Sequence, residues 1–170
     1  MFVLVRAITY AAIFAGLVFI YAPARLLTWS GIVSPSSIEV QQIAGMFIGT
    51  AGALIGVWCV LAFATVGRGT PAPFDPPRRL VIRGPYKFVR NPMYIGGGAA
   101  LAGAALFYES APLWYYTGAF LLALHLFIVL YEEPTLRRMF GEEYATYCNR
   151  VHRWLPRTDV SSHATEAKPS

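Results

Sequence analysis

Apolar residues run in four long blocks along this chain, and the polar residues collect between them. Residues 2–21, 43–66, 93–108 and 112–131 are almost free of charge. None of these blocks alternates with period two, and each is far longer than a buried strand, so all four read as α-helices. A helix needs about 20 residues to cross the hydrocarbon of a bilayer. The third block is short for that purpose; it begins below the interface, tilts little or sits partly inside the protein. Residues 135–151 follow a different rule. Tyr144, Tyr147 and Val151 recur at helical spacing among charges, which predicts an amphipathic helix at the membrane surface. The fold class expected is therefore an all-α integral membrane protein, with about four transmembrane helices and a cytoplasmic C-terminal amphipathic helix.

Composition supports this reading. The chain is 56% hydrophobic and only 14% charged, against roughly 25% charge in soluble domains. The first block is long for a signal peptide and runs directly into Pro23-Ala-Arg25, so it reads as a retained span. Residues 1–66 form a two-helix membrane hairpin on this reading, and residues 67–157 a core with two further membrane helices. Residues 158–170 are small and polar and read as a disordered tail. Thr70-Pro-Ala-Pro-Phe-Asp-Pro-Pro77 cannot be helical and serves as an extended connector.

The formal charge is +5. Arg68, Arg78, Arg79, Arg83, Lys87 and Arg90 lie in the central loop; Arg137, Arg138, Arg150, Arg153, Arg157 and Lys168 lie in the tail. The other two connections hold only Arg25. Basic residues stay on the cytoplasmic side. Both termini and the central loop are thus expected there, and no nucleic-acid partner is needed to explain the charge. Trp114, Tyr115 and Tyr116 fit an aromatic belt on the opposite side.

Cys59 and Cys148 lie in unlike surroundings and imply no disulfide. His125, His152 and His163 are scattered, so no metal is expected. Gly45-xxx-Gly49, Gly52-xxx-Gly56, Gly96-Gly97-Gly98 and Gly103 are small-residue stripes that let helices approach closely. No Gly-x-Gly-x-x-Gly follows a strand, and no nucleophile elbow or Ser-His-Asp set is present.

The chemistry gathers at the two ends of the second hairpin. Glu132 and Glu133 sit where the fourth span leaves the membrane. Adjacent acids at a helix C-terminus oppose the helix dipole. They need a balancing cation, such as Arg83, Arg90 or Arg137, or a ligand's ammonium or hydroxyl groups. Arg90-Asn91-Pro92-Met93-Tyr94 opens the third span. Pro92 suits a first helical turn and Asn91 can cap it. The same helix start, with Arg90, can also bind a carboxylate. Glu142 and Glu143 read as a solvated face. His125 lies inside the fourth span, seven residues before Glu132 and on the same face of an ideal helix. It is either a functional group or a hydrogen-bonded packing residue.

Gly84-Pro-Tyr86, Arg90-Asn-Pro-Met-Tyr-x-Gly96, Glu132-Glu133, Phe140-Gly-x-x-Tyr144 and Arg153-x-x-Pro156 occur in that order. As an ordered set they resemble the isoprenylcysteine carboxyl methyltransferase and phospholipid methyltransferase superfamily. The resemblance spans residues 80–157 and implies a membrane methyltransferase of bacterial type, in an inner membrane, using S-adenosylmethionine. It implies a cofactor site at Arg78, Arg79, Leu80, Val81, Tyr86, Asn91, Pro92, Met93, Tyr94 and Glu132, with Glu133 beside it. The chemistry of the residues agrees. Arg90 and the N–H groups near Asn91 suit the cofactor's carboxylate. The two glutamates suit its ammonium or ribose, and Tyr86 and Tyr94 suit its adenine or methionine part. The acceptor would be hydrophobic and arrive from the bilayer lipids. No catalytic base is implied by any one residue.

Two departures bear on the acceptor. Carboxyl methyltransferases usually have His where this chain has Asn91. Prenylcysteine enzymes also carry an arginine at the position of Ile128. Both departures weigh against a prenylcysteine acceptor. Membrane sterol reductases, which use a nicotinamide cofactor, have related motifs but more spans. A non-enzymatic small membrane protein is the remaining alternative.

Overall fold

Two prolines shape the long helices of this chain. In the computed structural model, which describes residues 2–62, 65 and 80–156, helix α1 (Phe2–Ala15) runs through a π turn (Gly16–Tyr21) into α2 (Ala22–Trp29). Later, α5 (Ala111–Phe127) runs through a second π turn (Ile128–Glu132) into α6 (Glu133–Arg150). Each π turn ends two residues before a proline, Pro23 or Pro134. A proline inside a helix lacks an N–H and its ring presses on the carbonyl four residues back. Widening the preceding turn relieves that clash without ending the helix. The N–H groups of Ala22 and Glu133 accordingly bond five residues back, to Leu17 and Ile128.

This changes two expectations. The first span does not stop at Tyr21; its membrane-length apolar window is Ala12–Trp29. Nor is there a helix C-terminus at Glu132–Glu133, because the chain stays helical through both. Opposition to a helix dipole therefore does not describe the acidic pair.

Three helical stretches among the described residues are long and apolar enough to cross a membrane. The third expected span, α4 (Pro92–Phe107), is 16 residues long, or about 24 Å. It lies in the middle of the bundle, packed on α3 (Val40–Ala62) and on α5. The described residues contain no strand, and the chain is an all-α, multi-pass membrane protein. The proline-rich connector, Arg78, Arg79 and residues 158–170 lie outside the described residues.

Glycine builds the α3–α4 contact. A Cβ at Gly52 would fall 2.5 Å from the Gly96 carbonyl oxygen, and one at Gly45 would fall 2.7 Å from that of Gly103. A Cβ at Gly103 would meet the backbone of Gly45 and Gly49. The two backbones thus touch, as the small-residue stripes predict. Gly97 receives Phe19 and Phe120, and Gly98 receives Leu121, so α4 is lined with small residues on several sides.

Polar groups tie off the end away from the acidic pair. Glu109, at φ 48°, closes the α4–α5 turn. Its Oε1 accepts from Gln41 Nε2 at 2.5 Å and from the buried Gln42 Nε2 at 2.7 Å. Ser110 caps α5 by accepting from the Leu113 N–H at 3.3 Å. Tyr116 donates to the Val18 carbonyl in the first π turn at 3.1 Å.

Helix α6 covers the charged segment, from Glu133 to Arg150, and it kinks at Gly141 (φ 48°, ψ −120°). A side chain would strain that conformation. Beyond the kink, Tyr144, Tyr147 and Val151 are buried together, with Leu80, Leu136, Phe140 and Cys148 packed around them. Glu142 and Glu143 are exposed, as a solvated face should be.

Candidate functional site

The polar cluster is assembled by four pieces of chain: the turn at Gly84–Lys87, the start of α4, the second π turn, and the segment after α6. Gly84 takes φ 60° and faces the Trp58 indole, leaving no room for a side chain. The turn sets Pro85 and Tyr86 inside the protein. Tyr86 packs with Cys59, Ala62 and Val81, and with Ile55 and Met93 at their edge. The Cys59 thiol and the Tyr86 hydroxyl share a hydrogen bond. Burial pushes the Tyr86 phenol well above its ordinary pKa, and Cys59, Tyr94 and Glu132 nearby push the same way. Tyr86 therefore stays neutral.

Glu132 and Glu133 have separate partners. Tyr94 donates to Glu132 Oε2 at 2.7 Å. Among the described residues the other oxygen of Glu132 has no hydrogen-bond partner. Glu133 is buried and grasped by Arg153, Nε to Oε1 at 2.8 Å and Nη2 to Oε2 at 2.9 Å. Arg90 Nη1 lies 3.4 Å from the same Oε1. Those hydrogen bonds hold the Arg153 guanidinium above even its ordinary pKa range. Of the cations expected to balance the pair, Arg90 does so, but the bidentate partner is Arg153. The sequence pattern pointed to Arg153 only as part of a closing motif.

Asn91 does not cap α4. Its side chain makes no bond to the helix N–H groups; Nδ2 reaches instead toward the Arg153 carbonyl at 3.4 Å. The backbone N–H of Arg90 bonds the His152 carbonyl at 2.9 Å, so the segment after α6 is stitched along the loop that precedes α4. That pairing competes with capping and wins. The consequence is a helix start whose first N–H groups have no side-chain cap, which is where an anion binds well. Arg90 completes this corner. Its Nη1 donates to Cys148 Sγ at 2.7 Å, while its Nε is buried without a partner. Tyr147 donates to the Tyr86 carbonyl at 2.8 Å and fixes the turn to α6.

Most of the residues expected at a cofactor site converge. Tyr86, Arg90, Asn91, Tyr94, Glu132 and Glu133 meet in one cluster, with Pro92 buried at the start of α4. Leu80, Val81 and Met93 serve the apolar packing beneath it. Arg78 and Arg79 lie outside the described residues. Pro134 was not among the expected residues, although its position directly after two glutamates marks the turn that displays them.

His125 and Glu132 do not act as one face. The π turn between them adds a residue to the helical turn. Glu132 reaches Tyr94 of α4, whereas the His125 ring lies against Trp154, with centroids 6.0 Å apart. Ile128 is 1% exposed, so its position is packed inside the protein. Among the described residues no three His, Cys, Asp or Glu side chains gather as metal ligands would.

The cluster thus brings an open carboxylate oxygen, two tyrosine rings, a guanidinium and an uncapped helix start into one corner of the bundle. Comparison with known proteins gives a concrete match. The phospholipid methyltransferase family matches residues 40–143, more than half of the chain. Two rice proteins, from Oryza sativa subsp. indica and subsp. japonica, are each 33% identical over 118 residues. Both are described as "Probable protein-S-isoprenylcysteine O-methyltransferase". The match covers 65% of this chain and 60% of each relative, so the chain spans less than two thirds of their length. No solved structure matches significantly.

Proposed function

This chain belongs to the phospholipid methyltransferase family, and from that premise we propose that it is a membrane-embedded, S-adenosylmethionine-dependent methyltransferase acting on a lipid or other hydrophobic acceptor. The observation that carries the proposal is the unequal treatment of the two glutamates. Glu133 is neutralised by Arg153 and Arg90, while Glu132 keeps one carboxylate oxygen open beside Tyr94. A single open carboxylate next to an uncapped helix start and an arginine matches a ligand carrying both an ammonium and a carboxylate.

The donor set fits the cofactor. Glu132 would receive the ammonium or ribose hydroxyls. The α4 N–H groups and Arg90, with its unpartnered Nε, would receive the carboxylate. Tyr86 and Tyr94 would line its adenine or methionine part. When bound, the cofactor supplies a methyl group already activated on a sulfonium, so the protein's task is mainly placement. Arg153 keeps Glu133 from repelling its neighbour. Tyr94 fixes the rotamer of Glu132. The Tyr147–Tyr86 bond and the Arg90–His152 backbone bond hold both walls in register.

The basic loops favour an orientation with both termini and this cluster on the cytoplasmic side, and the resemblance to bacterial-type members favours an inner membrane. Water-soluble cofactor then enters from the cytoplasm and the acceptor from the bilayer. Residues 1–66 act as a supporting hairpin, residues 67–157 as the catalytic core and residues 158–170 as a tail.

The test uses purified full-length protein in lipid nanodiscs. S-adenosylmethionine should bind by calorimetry, and its labelled methyl should pass into total membrane lipid, with the product identified by mass spectrometry. Unchanged binding in Glu132→Ala would sink the assignment of that carboxylate. Preference for NADPH would point to a reductase, and binding of neither to a non-enzymatic protein.

A further inference from the structure

One strongly polar side chain sits inside the apolar length of α5. Between Glu109 and Glu132, His125 is the sole Asp, Glu, Lys, Arg or His. It is half-buried. Among the described residues neither of its ring nitrogens has a hydrogen-bond partner. A polar group left unpaired at bilayer depth costs several kcal/mol. The position therefore holds an imidazole for a reason that the protein's own contacts do not supply.

What His125 does touch is Trp154, with 33° between the two rings. The residues just before Trp154 are anchored. Val151 is buried, and Arg153 grips Glu133 while its carbonyl faces Asn91. The segment that closes the polar cluster thus also lays an indole against His125. Stacking alone needs no ring nitrogen; a phenylalanine would serve it equally well. Along the helix, His125 lies roughly 10 Å from Glu132, on the bilayer side of the cluster.

We propose that His125 binds the polar head of the hydrophobic acceptor through its imidazole, whose N–H donates to a carboxylate or whose other nitrogen accepts from an amine, with Trp154 as the wall beside it. The ligand class is an amphiphile whose head offers a hydrogen-bonding carboxylate or amine. This rests on the methyltransferase reading, because it takes the cluster at Glu132 as the cofactor side. A lipid that reaches the cluster sideways passes the level of His125 first. The imidazole satisfies the head at the depth where water is scarce.

His125→Phe is the informative variant, because it keeps an aromatic ring against Trp154 and removes both nitrogens. The full-length protein in phosphatidylcholine nanodiscs is titrated, without cofactor, with N-acetyl-S-farnesylcysteine and separately with phosphatidylethanolamine, following tryptophan fluorescence. S-adenosylmethionine affinity and thermal stability are measured in parallel. The expected result is stability no lower than the parent's and unchanged cofactor affinity, with affinity for the probe that binds the parent reduced about tenfold. Which probe binds distinguishes a carboxylate head from an amine head. Parent-like probe affinity in His125→Phe overturns the proposal and leaves a packing role. So does a parent that binds neither probe. If His125→Phe fails to fold, His125→Gln decides, since it retains hydrogen bonding and must retain probe binding. Loss of cofactor binding in the parent, with His125-dependent probe binding intact, would reject the methyltransferase reading while sparing this one.

Discussion

Arg153 closes on Glu133 through two hydrogen bonds of 2.8 and 2.9 Å, from a residue 20 positions further along the chain. The contact joins the segment after α6 to the first residue of that helix, just past the π turn. It also decides the electrostatics of the acidic pair. With Glu133 neutralised, Glu132 is left as the carboxylate that a ligand can use.

Removing that closure should destabilise the fold. Arg153→Ala leaves Glu133, only 11% exposed, with the longer Arg90 contact. The expected loss is about 2 kcal/mol, in line with hydrogen bonds to charged groups. Arg153→Lys should recover only part, because an ammonium cannot grip both oxygens in the fork geometry. Thermal unfolding in detergent measures both.

The two glutamates should separate by phenotype. Glu132→Gln should weaken S-adenosylmethionine binding about tenfold, with little change in melting temperature. Glu133→Gln should instead lower the melting temperature, because two guanidinium groups lose their counter-charge. Parallel calorimetry and thermal scans on the same preparations would show it. Equal effects in both assays would remove the division of roles.

Pro134 should matter to the site more than to the fold. In Pro134→Ala the preceding π turn can rewind to α-helix, which rotates Glu132 away from Tyr94. Helix content by circular dichroism should be unchanged. Methyl transfer should fall by about a hundredfold, the penalty expected for ångström-scale misplacement.

The glycine stripe should be sensitive at one position and tolerant four residues on. A Cβ at Gly52 would sit 2.5 Å from the Gly96 oxygen, whereas one at Gly56 has nothing within 4 Å. Gly52→Ala should therefore cost about 1–3 kcal/mol by forcing α3 and α4 apart. Gly56→Ala should be near neutral. Melting temperatures of the two variants give the comparison.

The orientation is open to chemical labelling. In a Cys148→Ser background, Ser36→Cys should react with a membrane-impermeant maleimide in intact cells. Lys87→Cys should react only after the membrane is opened. The reverse pattern would invert the proposed topology.

Hydrophobic blocks determined the fold class and the positions of the two polar clusters along the chain, because bilayer thickness and water dictate those patterns residue by residue. The close approach of α3 and α4 was equally legible, since only glycine permits it and the spacing is local. The helix boundaries at Tyr21 and Glu132 were not. They depended on whether a proline ends a helix or widens it, and at Pro23 and Pro134 a π turn takes up the clash and the helix continues. The roles of Glu132 and Glu133 were also hidden. Adjacent identical residues differ only in what reaches them, and Tyr94 and Arg153 arrive from positions 38 and 20 residues away. Asn91 shows the same limit. Its local sequence favours a helix cap, but the segment after α6 offers backbone carbonyls that claim it instead. Local rules set where polar groups stand along the chain; the tertiary structure decided which of them are already satisfied and which are left for a ligand.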